Sequence, residues 1–257
     1  MTYKLLLATI LFTGGSVIAQ EQQKAKPEET EIWDPVPKVV TPGKTNSEPP
    51  SDAIILFDGK NLDKWVSVND STKPALWTVA DGIITVKKGT GNIQTRQSFK
   101  DYQLHIEWKI PAGITGSGQA RGNSGVFLAS LGKGDAGYEL QTMDSYNNKT
   151  YVNGQAGSIY KQTAPLVNPN RPPGEWQSYD IMWTAPVFND DGSIKSPAKV
   201  TVILNGVLVQ NCTELTGATQ YIGKPSYKKH GAAPIKLQDH GDPSAPISFR
   251  NIWIRPI

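Results

Sequence analysis

Two short stretches hold the side chains best suited to moving a proton. The first is Tyr138-Glu139-Leu140-Gln141-Thr142-Met143-Asp144. As a strand it sends Tyr138 and Leu140 to one face and Glu139 and Gln141 to the other. The preceding run, Arg121-Gly122-Asn123-Ser124-Gly125-Val126-Phe127, puts Arg121 and Asn123 on one side, and its glycines leave room for a ligand to approach the backbone. The second stretch is Lys236-Leu237-Gln238-Asp239-His240-Gly241. His240 follows Asp239 directly at the end of an apolar strand, where a carboxylate can orient an imidazole and tune its proton affinity. An acid, an amide, a guanidinium and an imidazole on one surface would hold a polar ligand and transfer a proton. The plain alternative for Glu139 is a solvated strand carboxylate, and its polar neighbours on the same face weigh against that. His105 lies in a regular amphipathic strand and reads as exposed. His230, in a Lys- and Gly-rich loop, carries little signal.

These residues need a sheet to position them, and the chain from Ala53 onward reads as strand after strand. Tyr102, Leu104, Ile106, Trp108 and Ile110 alternate with Gln103, His105, Glu107 and Lys109, the mark of a half-buried strand. Tyr179, Ile181 and Trp183 repeat the pattern. Val200, Val202 and Leu204 follow, and Asn205-Gly206 predicts a tight hairpin into Val207 and Val209. No stretch keeps a helical period. Paired apolar faces of this kind predict one all-β domain over residues 53–257, a two-sheet antiparallel sandwich. Residues 144–175 break the rhythm. A loop of that length is usually functional or disordered, and the interleaved Tyr146, Tyr151 and Tyr160 argue for order. It is expected to border the site, with Tyr160, Lys161 and Trp176 at the edge.

Residues 1–19 have the layout of a secretory leader: Lys4, an apolar run from Leu5 to Phe12, and a small-residue site ending at Ala19. The apolar run is too short for a membrane-spanning helix, which needs roughly 20 such residues. The expectation is a periplasmic or secreted protein without membrane insertion. Residues 20–52 read as a Pro-rich N-terminal arm or linker, whose Trp33, Val36, Val39 and Val40 should pack on the domain. Net charge is +3, and the basic residues are scattered, so there is no nucleic-acid footprint. Cys212 is the only cysteine, which excludes an internal disulfide and suggests a buried apolar thiol. Seven Trp and nine Tyr suit both a β core and stacking on sugars, so a small carbohydrate or glycoside is the expected partner.

The motifs also come in a telling order. Leu56-Phe57-Asp58-Gly59-Lys60-Asn61-Leu62 with Trp65 comes first, then Gly122-Asn123-Ser124-Gly125, then Tyr138-Glu139-Leu140-Gln141 with Asp144-Ser145-Tyr146. Gly157-Ser158-Ile159-Tyr160, Gly174-Glu175-Trp176, Leu237-Gln238-Asp239-His240-Gly241 and Phe249-Arg250-Asn251-Ile252 complete the set. Over about residues 53–257 the chain resembles the 3-keto-disaccharide hydrolase family, long known as a domain of unknown function. The resemblance implies a jelly roll of the concanavalin A-like lectin or glucanase type, acting on glycosides oxidised at C3.

That chemistry suits the residue types. A C3 ketone acidifies the C2 proton and places the C1 leaving group β to the carbonyl, so the bond can break by elimination through an enolate. The reaction needs a base for C2–H, a donor or cation for the enolate oxygen and an acid for the leaving group. Glu139 or His240 could be the base, with Asp239 orienting the imidazole. Arg121, Lys161 or a divalent metal ion could stabilise the enolate, although no dense metal-ligand motif is present. Asn123, Gln141, Asp144 and Gln238 complete the expected binding set. A conventional jelly-roll glycosidase is the competing enzyme. It would use an acid–x–acid–x–x–acid strand, here Glu139, Gln141 and Asp144, in which the central glutamine departs from the pattern. A non-catalytic carbohydrate-binding module would share the fold.

Overall fold

The computed structural model describes residues 25–257, so the expected leader at 1–19 lies outside the described residues. The chain divides into two units, residues 1–39 and 40–257. In the described part of the first, Pro27–Thr30 forms a single 3-10 turn. Residues 40–52 belong to the second unit. Thr41 and Ser51 bond to each other, and the Ser47 carbonyl accepts from the Asn251 and Trp253 side chains.

The second unit is a two-sheet antiparallel jelly-roll sandwich. Its strands are β1 (Ile54–Phe57), β2 (Trp65–Ser67), β3 (Thr78–Ala80), β4 (Ile83–Thr85) and β5 (Ile93–Thr95). The next five are β6 (Tyr102–Lys109), β7 (Ser124–Ser130), β8 (Gly137–Thr142), β9 (Trp176–Thr184) and β10 (Val187–Phe188). The last are β11 (Ile194–Ser196), β12 (Lys199–Leu204), β13 (Val207–Glu214), β14 (Lys236–Leu237) and β15 (Ser248–Pro256). One sheet runs β13-β12-β9-β6-β15-β4-β3, with β1 also paired to β15. The other runs β2-β5-β14-β7-β8. Strands β10 and β11 make a small separate hairpin. Among the described residues no helix is long and apolar enough to cross a membrane.

The alternation read in the sequence determines which face is buried. Tyr102, Leu104 and Ile106 of β6 lie opposite Trp183, Ile181 and Tyr179 of β9, and all six are buried. Val126, Leu128, Tyr138, Leu140 and Leu237 face them from the smaller sheet and join the same core. Asn205 and Gly206, both at positive φ, close the β12–β13 hairpin as expected. Two tyrosines of the larger sheet cross the core to carbonyls of the smaller: Tyr102 donates to Leu128 at 2.7 Å and Tyr179 to Gln141 at 2.6 Å. The strand carrying Glu139 and Gln141 is thereby held from behind.

Two side chains differ from expectation. His105 is 1% exposed, stacked on Trp253, with Nδ1 2.7 Å from Asp180. Burial alone would push it down, but hydrogen bonds to Asp180 and Glu107 outweigh that and bring it up to about 9. It sits on the outer face of the larger sheet, where strand periodicity predicts solvent but the β15 side chains Arg250, Asn251 and Trp253 crowd around the His105–Glu107 pair. Cys212 is exposed, at φ +47, at an irregularity in the β12–β13 pairing.

Candidate active site

A cavity of about 660 Å³ opens on the outer face of the smaller sheet. Its floor comes from strand register. Lys236, Phe127 and Glu139 lie in a row across β14, β7 and β8. The next row on the same face is Gln238, Gly125 and Gln141, where the Gln238 N–H donates to the Gly125 carbonyl. Asn123 continues this face one step beyond β7. Glu139, Gln141, Asn123, Gln238 and His240 all line the cavity, as do Tyr160 and Lys161 from the 144–175 loop.

Glu139 is 4% exposed and leans across the Gly125 backbone. A Cβ at Gly125 would come within 2.6 Å of Glu139 Oε1, so the missing side chain makes the space the carboxyl occupies. Burial, then the nearby Asp135 carboxylate, push Glu139 up to about 8, against the opposing pull of Lys236. The carboxyl is therefore mostly protonated at neutral pH. Gly125→Ala is expected to displace it and lower kcat/KM about 10²-fold with little change in Tm, since small misplacements of a reacting group have costs of that size. Steady-state kinetics beside a melting curve checks this. Full activity would mean that the placement of Glu139 over Gly125 is not needed.

His240 is held by Asp242, not by Asp239. Its Nδ1 lies 3.0 Å from Asp242 Oδ2, and its Nε2 faces the Asn123 amide nitrogen at 3.3 Å. The carboxylate accepts the Nδ1–H hydrogen bond in preference to a longer contact from the Asp242 N–H, and the Nε2 lone pair accepts from the Asn123 amide at the cavity wall. The Asn123 orientation agrees, because its Oδ1 accepts from Gln141 Nε2 at 2.9 Å. Burial would raise Asp242, but hydrogen bonds from His240 and Ser244 and the Lys88 charge hold it below its ordinary value. Asp239 turns away to accept the Gly91 N–H at 2.9 Å. Adjacent side chains on extended backbone point apart, whereas a residue two positions on returns through a turn.

Three other expected site residues lie elsewhere. Arg121 donates to Asp144 at 2.6 Å and to the Tyr146 carbonyl at 2.7 Å, and neither Arg121 nor Asp144 lines the cavity. Gly122, at φ +60, breaks the alternation that would have paired Arg121 with Asn123. Asp144 has the parity of Tyr138 and Leu140, not of Glu139. Trp176 is on the outer face of the larger sheet under Arg250 and Lys109, across the core from the cavity. Cavity residues not anticipated include Gln119, Asp135, Tyr151, Thr219, Tyr221 and Asp242. Tyr151 shares a 2.7 Å hydroxyl contact with Tyr160, and Lys161 lies 4.1 Å from the Tyr221 ring centre. Tyrosine enrichment in the 144–175 loop signalled the first of these. Nothing local signals Tyr221.

The family model of the 3-keto-alpha-glucoside-1,2-lyase-like domain matches residues 52–255. The chain belongs to this family. A curated 3-keto-disaccharide hydrolase of Bacteroides thetaiotaomicron is 28% identical over 241 residues, 79% of this chain and 77% of that protein. A crystal structure of a candidate glycosyl hydrolase from Parabacteroides distasonis shares 53% identity with a TM-score of 0.84, covering 96% of this chain and all of that one. A second such structure from the same organism, 23% identical with a TM-score of 0.56, shares the fold. Membership in the lyase-like family makes this a glycosidase-type enzyme with a carbohydrate substrate, and the cavity on the smaller sheet is its candidate active site. Among the described residues no three His, Cys, Asp or Glu side chains are grouped to hold a metal ion.

Proposed function

We propose that the chain cleaves the glycosidic bond of 3-keto-glycosides by elimination through an enolate, with water adding afterwards. The observation that carries this reading is the pairing of a buried, protonated carboxyl at Glu139 with an imidazole whose Nε2, hydrogen-bonded to Asn123, lines the same cavity. An acid and a base that reach one cavity are what the elimination requires. His240 Nε2, released from Asn123, takes the C2 proton, and the C2–H electron pair forms the C2–C3 double bond of an enolate whose charge sits on the C3 oxygen. The enolate then collapses to the C3 ketone, its pair forms the C1–C2 double bond, and Glu139 gives its proton to the departing C1 oxygen. The alcohol leaves, and water then adds its hydroxyl to C1 and a proton to C2. The unpartnered buried oxygens of Gln141 and Gln238 accept from sugar hydroxyls. The cavity volume suits a disaccharide-sized ligand.

The arrangement supports a conventional two-carboxylate glycosidase less well. Asp144 is paired with Arg121 outside the cavity and Asp242 with His240, so neither serves as the second carboxylate, and only Asp135 at the rim is left to face Glu139. A leader-like sequence at 1–19 supports an exported enzyme, periplasmic or secreted.

The test is incubation in D2O with glucosides and with their 3-keto forms, with and without chelator. Cleavage restricted to the keto forms, with deuterium at C2 of the released sugar, is the expected result. Equal cleavage of unoxidised glucosides, or release without C2 deuterium, would overturn the mechanism. Binding without turnover would identify a carbohydrate-binding module.

A further inference from the structure

Lys236 is fully buried, with no salt-bridge partner within reach among the described residues, and it does not line the cavity. A lysine in such a position needs a reason, because desolvating an ammonium is costly unless its protons are taken up. Here all three are. Nζ donates to the Ala136 carbonyl at 2.7 Å, Gly134 at 2.8 Å and Gly132 at 3.2 Å, and it sits 4.5 Å from the centre of the Phe127 ring. These three carbonyls belong to the loop of the β7–β8 hairpin. That hairpin carries Asp135 to the cavity rim and delivers the first residues of β8, two positions before Glu139. In the sheet, Lys236, Phe127 and Glu139 occupy one row of one face.

We propose that Lys236 is a positioning residue of this active site: locked beneath the β7–β8 hairpin, its ammonium sets the placement and charge environment of the Glu139 carboxyl without touching substrate. The proposal rests on the reading of Glu139 as the acid. Burial pulls Lys236 down to about 8, and the Asp135 and Glu139 carboxylates draw it back up. The hairpin turns Asp135 toward Glu139, and the 144–175 loop adds the Tyr151 and Tyr160 hydroxyls and Lys161. His240, with Asp242 behind it, approaches from the end of β14, and Tyr221 closes the rim. Of the two lysines, Lys236 is the one that counts in the charge balance of Glu139.

The experiment compares the full chain with its Lys236→Met and Lys236→Arg variants. The Glu139 carboxyl is titrated by carbon NMR in glutamate-labelled protein, assigned with Glu139→Gln, and the pH profile of kcat/KM is measured in parallel. With methionine, loss of the positive charge is expected to raise the Glu139 titration midpoint by about one pH unit. The matching limb of the rate profile should move with it, and arginine should restore both at least in part. A folded methionine variant whose Glu139 midpoint does not move overturns the proposal. A midpoint that moves while the rate profile stays fixed counts against Glu139 as the acid, and the positioning role falls with that reading. If the methionine variant does not fold, nitrogen NMR of Lys236 in Glu139→Gln reads the same coupling from the other side. Its midpoint should fall by a similar amount, because coupling between two sites is mutual. An unchanged Lys236 midpoint is the overturning result.

Discussion

Replacing Glu139 with glutamine is expected to abolish most activity and, at alkaline pH, to make the protein more stable. The loss follows from the proton the carboxyl must donate. Glutamine fills the same space over Gly125 but has no acidic proton, and removal of a general acid typically costs about 10²- to 10⁴-fold in kcat/KM. The gain follows from burial. Glu139 titrates at about 8 in the folded chain against an ordinary 4.5, so between those values the native state keeps a proton that the unfolded chain has released. Native stability therefore falls as pH rises through this window, and the loss is complete above about 8. Glutamine removes that dependence. Denaturant unfolding at pH 5 and pH 9 should show the variant gaining on the wild type at the higher pH by on the order of a few kcal/mol. Parallel pH–stability curves for the two proteins would show that Glu139 is not held protonated by its surroundings.

His240→Ala is expected to lower kcat/KM by about 10²-fold or more, and Asp242→Ala to reproduce most of that loss. Without the carboxylate on Nδ1, only the longer Asn123 contact at Nε2 is left to hold the imidazole in its tautomer and orientation. Asp239→Ala is the contrast. Among the described residues its carboxylate accepts only the Gly91 N–H, outside the cavity, so the variant should have a lower Tm while keeping kcat within a few-fold. Circular dichroism of the Asp242 variant is a necessary control, because that buried carboxylate also receives Ser244. If Asp239→Ala is the inactive variant and Asp242→Ala is active, the dyad is assigned to the wrong acid.

Much of this site is local in origin. A strand repeats every two residues whatever surrounds it, so the sequence alone placed Glu139 with Gln141, set them opposite Tyr138 and Leu140, and marked Asn123 and Gln238 as polar positions on apolar strands. The same repeat, with turn residues between the runs, determined that the domain is an all-β sandwich. The aromatic character of the long 144–175 loop pointed to an ordered border for the cavity.

Other features depended on contacts between distant parts of the chain, and periodicity contains no information about those. Alternation fails where the backbone leaves the strand, which is why Arg121 before Gly122 and Asp144 after Thr142 turned to each other. It also does not say which sheet a strand joins, and Trp176 went to the larger sheet, across the core from the site. The partner of His240 was decided by a turn that returns Asp242 to it rather than by adjacency to Asp239. Tyr221 reached the rim only through the packing of its loop. Nothing local in the sequence marks Lys236 as buried. It became a buried cation only because the β7–β8 hairpin folds its carbonyls over it, and such an enclosure exists only after the strands have paired.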